Sequence, residues 1–154
     1  MTKALTTIRL PRDRVNQLRQ VAQGMNDATL SEALGAIFKM AREQGLVAHG
    51  IPSVQINALD DGLAIKFDEG ETVGFSFDEA QRIASEIRNC LAGKNEGQKL
   101  VHMCEAHAGS FWVHGRGNAV AIAMPVNSDP KMFTRDLAAE LADLLEHEIA
   151  KGKI

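Results

Sequence analysis

The sequence predicts an α+β protein in two parts: a strand-helix-helix module over residues 1–47 and, over 53–154, an antiparallel-sheet domain of two strand-strand-strand-helix (βββα) units. Three observations predict it. Apolar periodicity in the N-terminal third changes at Pro11 from two to helical. Beyond Pro52 it returns to two, with turn residues at short intervals: Asp60-Asp61-Gly62, Asp68 to Glu71, Ala106 to Gly109 and Gly115 to Asn118. Two later stripes at helical spacing follow, Ala80, Ile83, Ala84, Ile87 and Leu91, then Leu137, Leu141, Leu144, Leu145 and Ile149.

Residues 5–10 read as a short strand, with Thr6, Ile8 and Leu10 on one side and Leu5, Thr7 and Arg9 on the other. Pro11 ends the strand and suits the start of a helix. Val15, Leu18, Ala22 and Met25 stripe a first helix over 13–23, which Gly24 is expected to close. Leu30, Ala33, Leu34, Ile37, Phe38 and Ala41 stripe a second over 29–44. It opens on a capping box, the Thr29 hydroxyl and the Glu32 carboxylate each satisfying one orphan amide.

In the second part, strands are expected near 53–59, 62–68 and 71–77 and a helix at 78–92, with Asp78 and Gln81 as its capping box. Further strands follow near 98–106, 110–115 and 118–125, then a helix at about 130–150 with Asp129 as cap and Pro130 at its first position. Each helix is expected to cover one three-stranded meander. In the first unit Val54, Ile56, Leu63, Ile65, Phe67, Val73, Phe75 and Phe77 form the core face, leaving Gln55, Asn57, Lys66, Thr72 and Ser76 outside. In the second, Val101, Met103, Phe111, Val113, Val120, Ile122 and Met124 form it. That register puts His102, Cys104, Trp112 and His114 on the opposite face beside Ala119, Ala121 and Ala123, a surface suited to a protein partner, the other unit or a small effector. A slip of one residue would exchange the two faces.

Charge is distributed unevenly. Residues 1–51 carry seven Lys and Arg against four acids, net +3, whereas the remaining 103 carry ten against sixteen, net −6. A basic end on an acidic body fits one part meeting phosphate and another doing something else, and excludes indiscriminate nucleic-acid binding by the whole chain. No apolar run approaches the length of a membrane span, and Lys3 and Arg9 are not followed by the hydrophobic stretch of a secretory signal. Cytoplasmic residence is expected, and Cys90 and Cys104 make no disulfide framework.

The strand Leu5 to Leu10, Pro11 and the two amphipathic helices with Thr29 and Glu32 between them resemble the ribbon-helix-helix repressors, the Arc and methionine-repressor group, over the first third of the chain. The resemblance implies that two subunits pair their strands into an antiparallel ribbon that reads double-stranded DNA in the major groove. It implies base contacts from Leu5, Thr7 and Arg9, with Arg9 suited to guanine O6 and N7. Phosphate contacts would come from Lys3, Arg12 and Arg14 and from the second helix's N-terminus at Thr29, Leu30 and Ser31. The implied function is a homodimeric, or tetrameric, transcriptional repressor.

Other readings are weaker on the residues. His102, Cys104, His107 and His114 could together hold a transition metal, but their spacing matches no strong metal signature, so neither metal nor cofactor is expected. No nucleophile motif surrounds Cys104, and Gly115 to Asn118 is a hairpin turn rather than a phosphate loop, so no enzyme is expected. The alternative is a protein-binding dimer. The element order from Thr29 onward loosely resembles the small chaperones of type III secretion, and an antitoxin would combine DNA binding with toxin neutralisation.

Overall fold

The computed structural model describes residues 6–48, 50–94, 99–103 and 109–152. The chain is α+β, with four helices and two antiparallel sheets among these residues, and it divides into two compact units, 1–49 and 50–154.

The first unit contains α1 (Arg12–Gly24) and α2 (Leu30–Glu43). Gly24 is the last helical residue, but the left-handed backbone that ends the helix falls later, on Asn26 (φ 60°) and Asp27 (φ 58°). Asn and Asp are the non-glycine types that enter this region at least cost. The Ala28 N–H then donates back to the Ala22 carbonyl at 3.0 Å. The strand expected over 5–10 is not formed within the single chain: Thr6 to Leu10 are exposed and outside any sheet. An isolated strand has no neighbour to take its backbone hydrogen bonds.

The second unit is built on two meanders. β1 (Val54–Ala58), β2 (Gly62–Phe67) and β3 (Val73–Ser76) form a sheet in that order. After α3 (Phe77–Leu91), the strands β4 (Lys99–Met103), β5 (Ser110–Arg116), β6 (Ala119–Ala123) and β7 (Lys131–Thr134) form the second, and α4 (Arg135–Gly152) follows. The helices do not divide the sheets between them as expected. They pack on each other, α3 lying against β2, β3 and β5 and α4 against β1, β2, β6 and β7. One continuous core results, in which Leu63, Ile65 and Phe75 of the first sheet meet Phe111, Val113, Ile122 and Phe133 of the second around Ile83, Ile87, Leu141 and Leu145. Phe75 and Phe111 meet edge-on at 6.0 Å, and so do Phe67 and Phe133 at 5.5 Å.

Two other expectations are corrected. Residues 131–134 are a strand rather than the first turn of the last helix, with Val120 opposite Phe133 and Ala121 opposite Met132. The β6 edge needs backbone partners, and as a strand residue Phe133 is 2% exposed, so pairing and burial outweigh the helix-start signal of Asp129-Pro130. The capping box of α3 is Ser76 with Glu79, not Asp78 with Gln81: Ser76 Oγ accepts from Glu79 N at 3.1 Å and Glu79 Oε2 from Ser76 N at 2.8 Å. The helix therefore begins at Phe77, which packs partly buried on the core.

Two close approaches fix the packing. A Cβ on Gly62 would lie 1.9 Å from the Phe75 carbonyl oxygen, and one on Gly109 2.4 Å from that of Gly74. Phe75 is fully buried, its backbone carbonyl facing Gly62 and its ring facing Gly109. Phe75→Ala is expected to lower unfolding free energy by about 3–5 kcal/mol, the cost of emptying a large aromatic site, measured by denaturant titration. A loss below about 1 kcal/mol would contradict its central place in this core.

Candidate nucleic-acid interface

The residues singled out for DNA contact belong to the first unit. Thr7 and Arg9 lie in the exposed segment before Pro11, which is neither helix nor strand, while Lys3 and Leu5 fall outside the described residues. Ile8, between Thr7 and Arg9, is 73% exposed. Arg12 opens α1 and Arg14 lies in its first turn, where its guanidinium donates to the Gln17 side chain at 2.9 Å. Both are exposed. Pro11 caps the helix without a side-chain hydrogen bond, as suits a residue with no N–H and a fixed φ.

At the start of α2 the capping box is formed as the sequence implies. Thr29 Oγ1 accepts from Glu32 N at 3.1 Å, and Glu32 Oε2 accepts from Thr29 N at 2.7 Å. The amide and hydroxyl of Thr29 are therefore engaged inside the box, with a carboxylate already serving the positive end of the helix.

Burial in this unit is slight. Among the described residues only Ala22 and Ala33 are buried, both small, where α1 and α2 face each other. Along α2 Leu30, Leu34, Ile37, Phe38 and Met40 remain 37–60% exposed, and beyond it Leu46 is 79% exposed. The apolar stripe legible in the sequence is thus present, but α1 and α2 do not cover it between themselves.

In the second unit the register separates the residues expected to share a face. Val101 pairs with Trp112, and His102 with Phe111. β4 is therefore one residue out of the expected phase, and its faces are exchanged. His102 turns to the helix-covered side, its ring 5.2 Å from that of Phe111 and its Nδ1 accepting from Arg82 at 3.2 Å. His114 stays on the opposite face with Trp112, where its Nδ1 accepts from Arg116 Nε at 3.2 Å. The expected His102–His114 grouping does not exist, and no group of three His, Cys, Asp or Glu suited to a metal occurs among the described residues. Cys104 and His107 lie outside them.

Trp112 is 5% exposed and covered from within the unit, its indole N–H donating to the Val126 carbonyl at 3.0 Å. The exposed large apolar residues of this face are Val101 and Met103, at 56% and 67%. Their period-two alternation with Leu100 and His102 was the available signal, but placing it on the right face requires the register. Cys90 is buried beside Gly115, and desolvation, the largest cause, raises its thiol pKa, which disfavours the reactive thiolate.

No helix among the described residues is long and apolar enough to cross a membrane. In comparisons with known proteins, no family model, no curated protein and no solved structure matches the chain.

Thr29→Ala removes the hydroxyl half of the capping box. It is expected to destabilise the first unit by about 1 kcal/mol, read as lost helix signal in far-UV circular dichroism during thermal unfolding.

Proposed function

We propose that the protein is a homodimeric, sequence-specific DNA-binding regulator, acting as a repressor, in which two copies of residues 4–10 pair into an antiparallel ribbon that enters the major groove. The observation that carries this reading is the first unit's lack of a core of its own. A module of this size buries too little surface to be stable alone, and here only two alanines are buried while the apolar side of α2 is open. A second copy supplies what is missing twice over: an opposing α2 face and an opposing strand for an extended segment with no partner.

In this arrangement Leu5, Thr7 and Arg9 share the outward side of the ribbon. Arg9 forks onto a guanine, and Thr7 contributes a hydroxyl and a methyl to neighbouring bases. Lys3, Arg12 and Arg14 add the sequence-independent, salt-sensitive part of the affinity through phosphate contacts, joined by Thr29, Leu30 and Ser31 at the start of α2. The net charge of +3 over residues 1–51 supports this placement. The second unit contributes further association or response to an effector, in the cytoplasm, without catalysis and without a cofactor.

Arg9→Ala is expected to weaken specific binding by about 1–3 kcal/mol while leaving the fold intact. The measurement is gel-shift titration against DNA upstream of the protein's own gene, and against sites selected from a random library, with salt varied. Ile37→Glu places a charge in the expected dimer face and should lower both sedimentation mass and DNA affinity. Undiminished operator affinity in Arg9→Ala would reject the assigned reader. A monomeric wild-type chain that still binds specifically would reject the ribbon.

A further inference from the structure

The outward face of the four-stranded sheet is closed over only part of its width. The Val126 N–H donates to the Ser110 hydroxyl at 3.2 Å, and the Val126 carbonyl takes the Trp112 indole N–H. The segment after Pro125 thus straps down Trp112, Ala121 and Ala123, with Val126 and Met132 packed against them. β4 lies outside this cluster. Val101 and Met103, opposite Trp112 and Ser110, stand exposed on the same face, and among the described residues β4 has a strand neighbour on one side only. On the other edge strand, β7, the outward Met132 is packed into the Trp112 cluster, while on the core side Lys131 pairs with Asp68 at 2.7 Å and Phe133 meets Phe67. An uncovered edge with apolar side chains is a template for another strand.

Charge narrows what that strand is. The Lys99 ammonium lies 4.3 Å above the Trp112 ring, and Lys99 is opposite His114, which Arg116 contacts. No carboxylate occupies a strand position on this face among the described residues. This basic end belongs to a part of the chain, residues 52–154, with sixteen acids against ten bases. A second copy of β4 would bring another lysine and no carboxylate, so complementarity favours a different, acidic strand.

We propose that the edge of β4 with no strand neighbour among the described residues binds an extended peptide segment by strand addition, an acidic side chain of the peptide lying beside Lys99 and apolar side chains, at every second position, beside Val101 and Met103. Backbone hydrogen bonds along β4 supply affinity, and the period-two alternation of the face supplies the pattern that is selected. This proposal stands apart from the DNA-binding reading, since it involves no residue of the first unit.

The test is to pan a random heptapeptide display library on the immobilised full-length chain, then titrate the enriched sequence, synthesised with a fluorescein label, by anisotropy. Enriched peptides should alternate apolar residues and carry Asp or Glu near one end. Lys99→Glu and Val101→Lys, both at exposed positions, should each weaken binding about tenfold or more with unchanged circular dichroism. Failure to enrich, enrichment of peptides without acidic residues, or equal affinity in both variants would overturn the proposal. Displacement of the peptide by random duplex DNA would also overturn it, identifying nucleic acid as the occupant. So would a fall in sedimentation mass on Val101→Lys without peptide, identifying a second copy of this chain.

Discussion

The second unit rests on one constraint: neither meander can cover its own apolar face. A three-stranded sheet with one dry side needs a second layer, and a single helix spans only part of it. Here the need is met jointly. α3 and α4 pair, and each lies across strands of both sheets, so Phe75 is buried against Phe111 and the partly buried Phe67 packs on Phe133. The fit depends on close backbone approaches at Gly62 and Gly109, where a side chain would strike a carbonyl oxygen. On the outer surfaces of the helices, Arg88 joins Asp143 and Glu146, with the Glu146 contact at 3.1 Å. The hydrogen bonds to these carboxylates raise the arginine's pKa, led by that to Glu146. Partly exposed ion pairs of this kind add little stability beside the core they frame.

Much of this was legible in the sequence wherever local signals and tertiary demands agreed. The core face of β1 to β3 follows from alternation because short turns at Asp60-Asp61 and Asp68 to Thr72 leave little freedom of register. The stripe of α3 and the Thr29–Glu32 box form as the local pattern implies, and so does that of α4 from Leu141 onward, whereas Leu137 is exposed and Ala138 is buried in its place. β4 was misplaced because the connection after Met103 sets its phase, and connection length cannot be read from residue types. β7 was missed because Asp129-Pro130 resembles a helix start while four residues are too few to show periodicity. Ser76–Glu79 and Asp78–Gln81 are both acceptable caps in sequence, and the partial burial of Phe77 accompanies the earlier one. The proposed DNA-facing residues are legible only as a pattern of types around Pro11. The exposed pair Val101 and Met103 could not be found before the register was known.

The two units answer the burial problem differently. The second closes its main core within one chain. The first carries an amphipathic helix pair with almost nothing between the helices but Ala22 and Ala33. Val15 and Leu18 of α1 are partly buried, while the larger apolar side chains of α2 stay exposed. If the proposed dimer forms through this unit, its folding is linked to association, and concentration as well as temperature governs how much of it exists.

The placement of Trp112 has a spectroscopic consequence. It is the only tryptophan in a chain with no tyrosine, and its indole sits under the strap at Val126. The first unit has only Phe38 as an aromatic ring. Near-ultraviolet emission therefore reports the second unit alone, while peptide-bond dichroism reports helices in both. A divergence between the two signals on heating or dilution would separate the units within the intact chain, without cutting it.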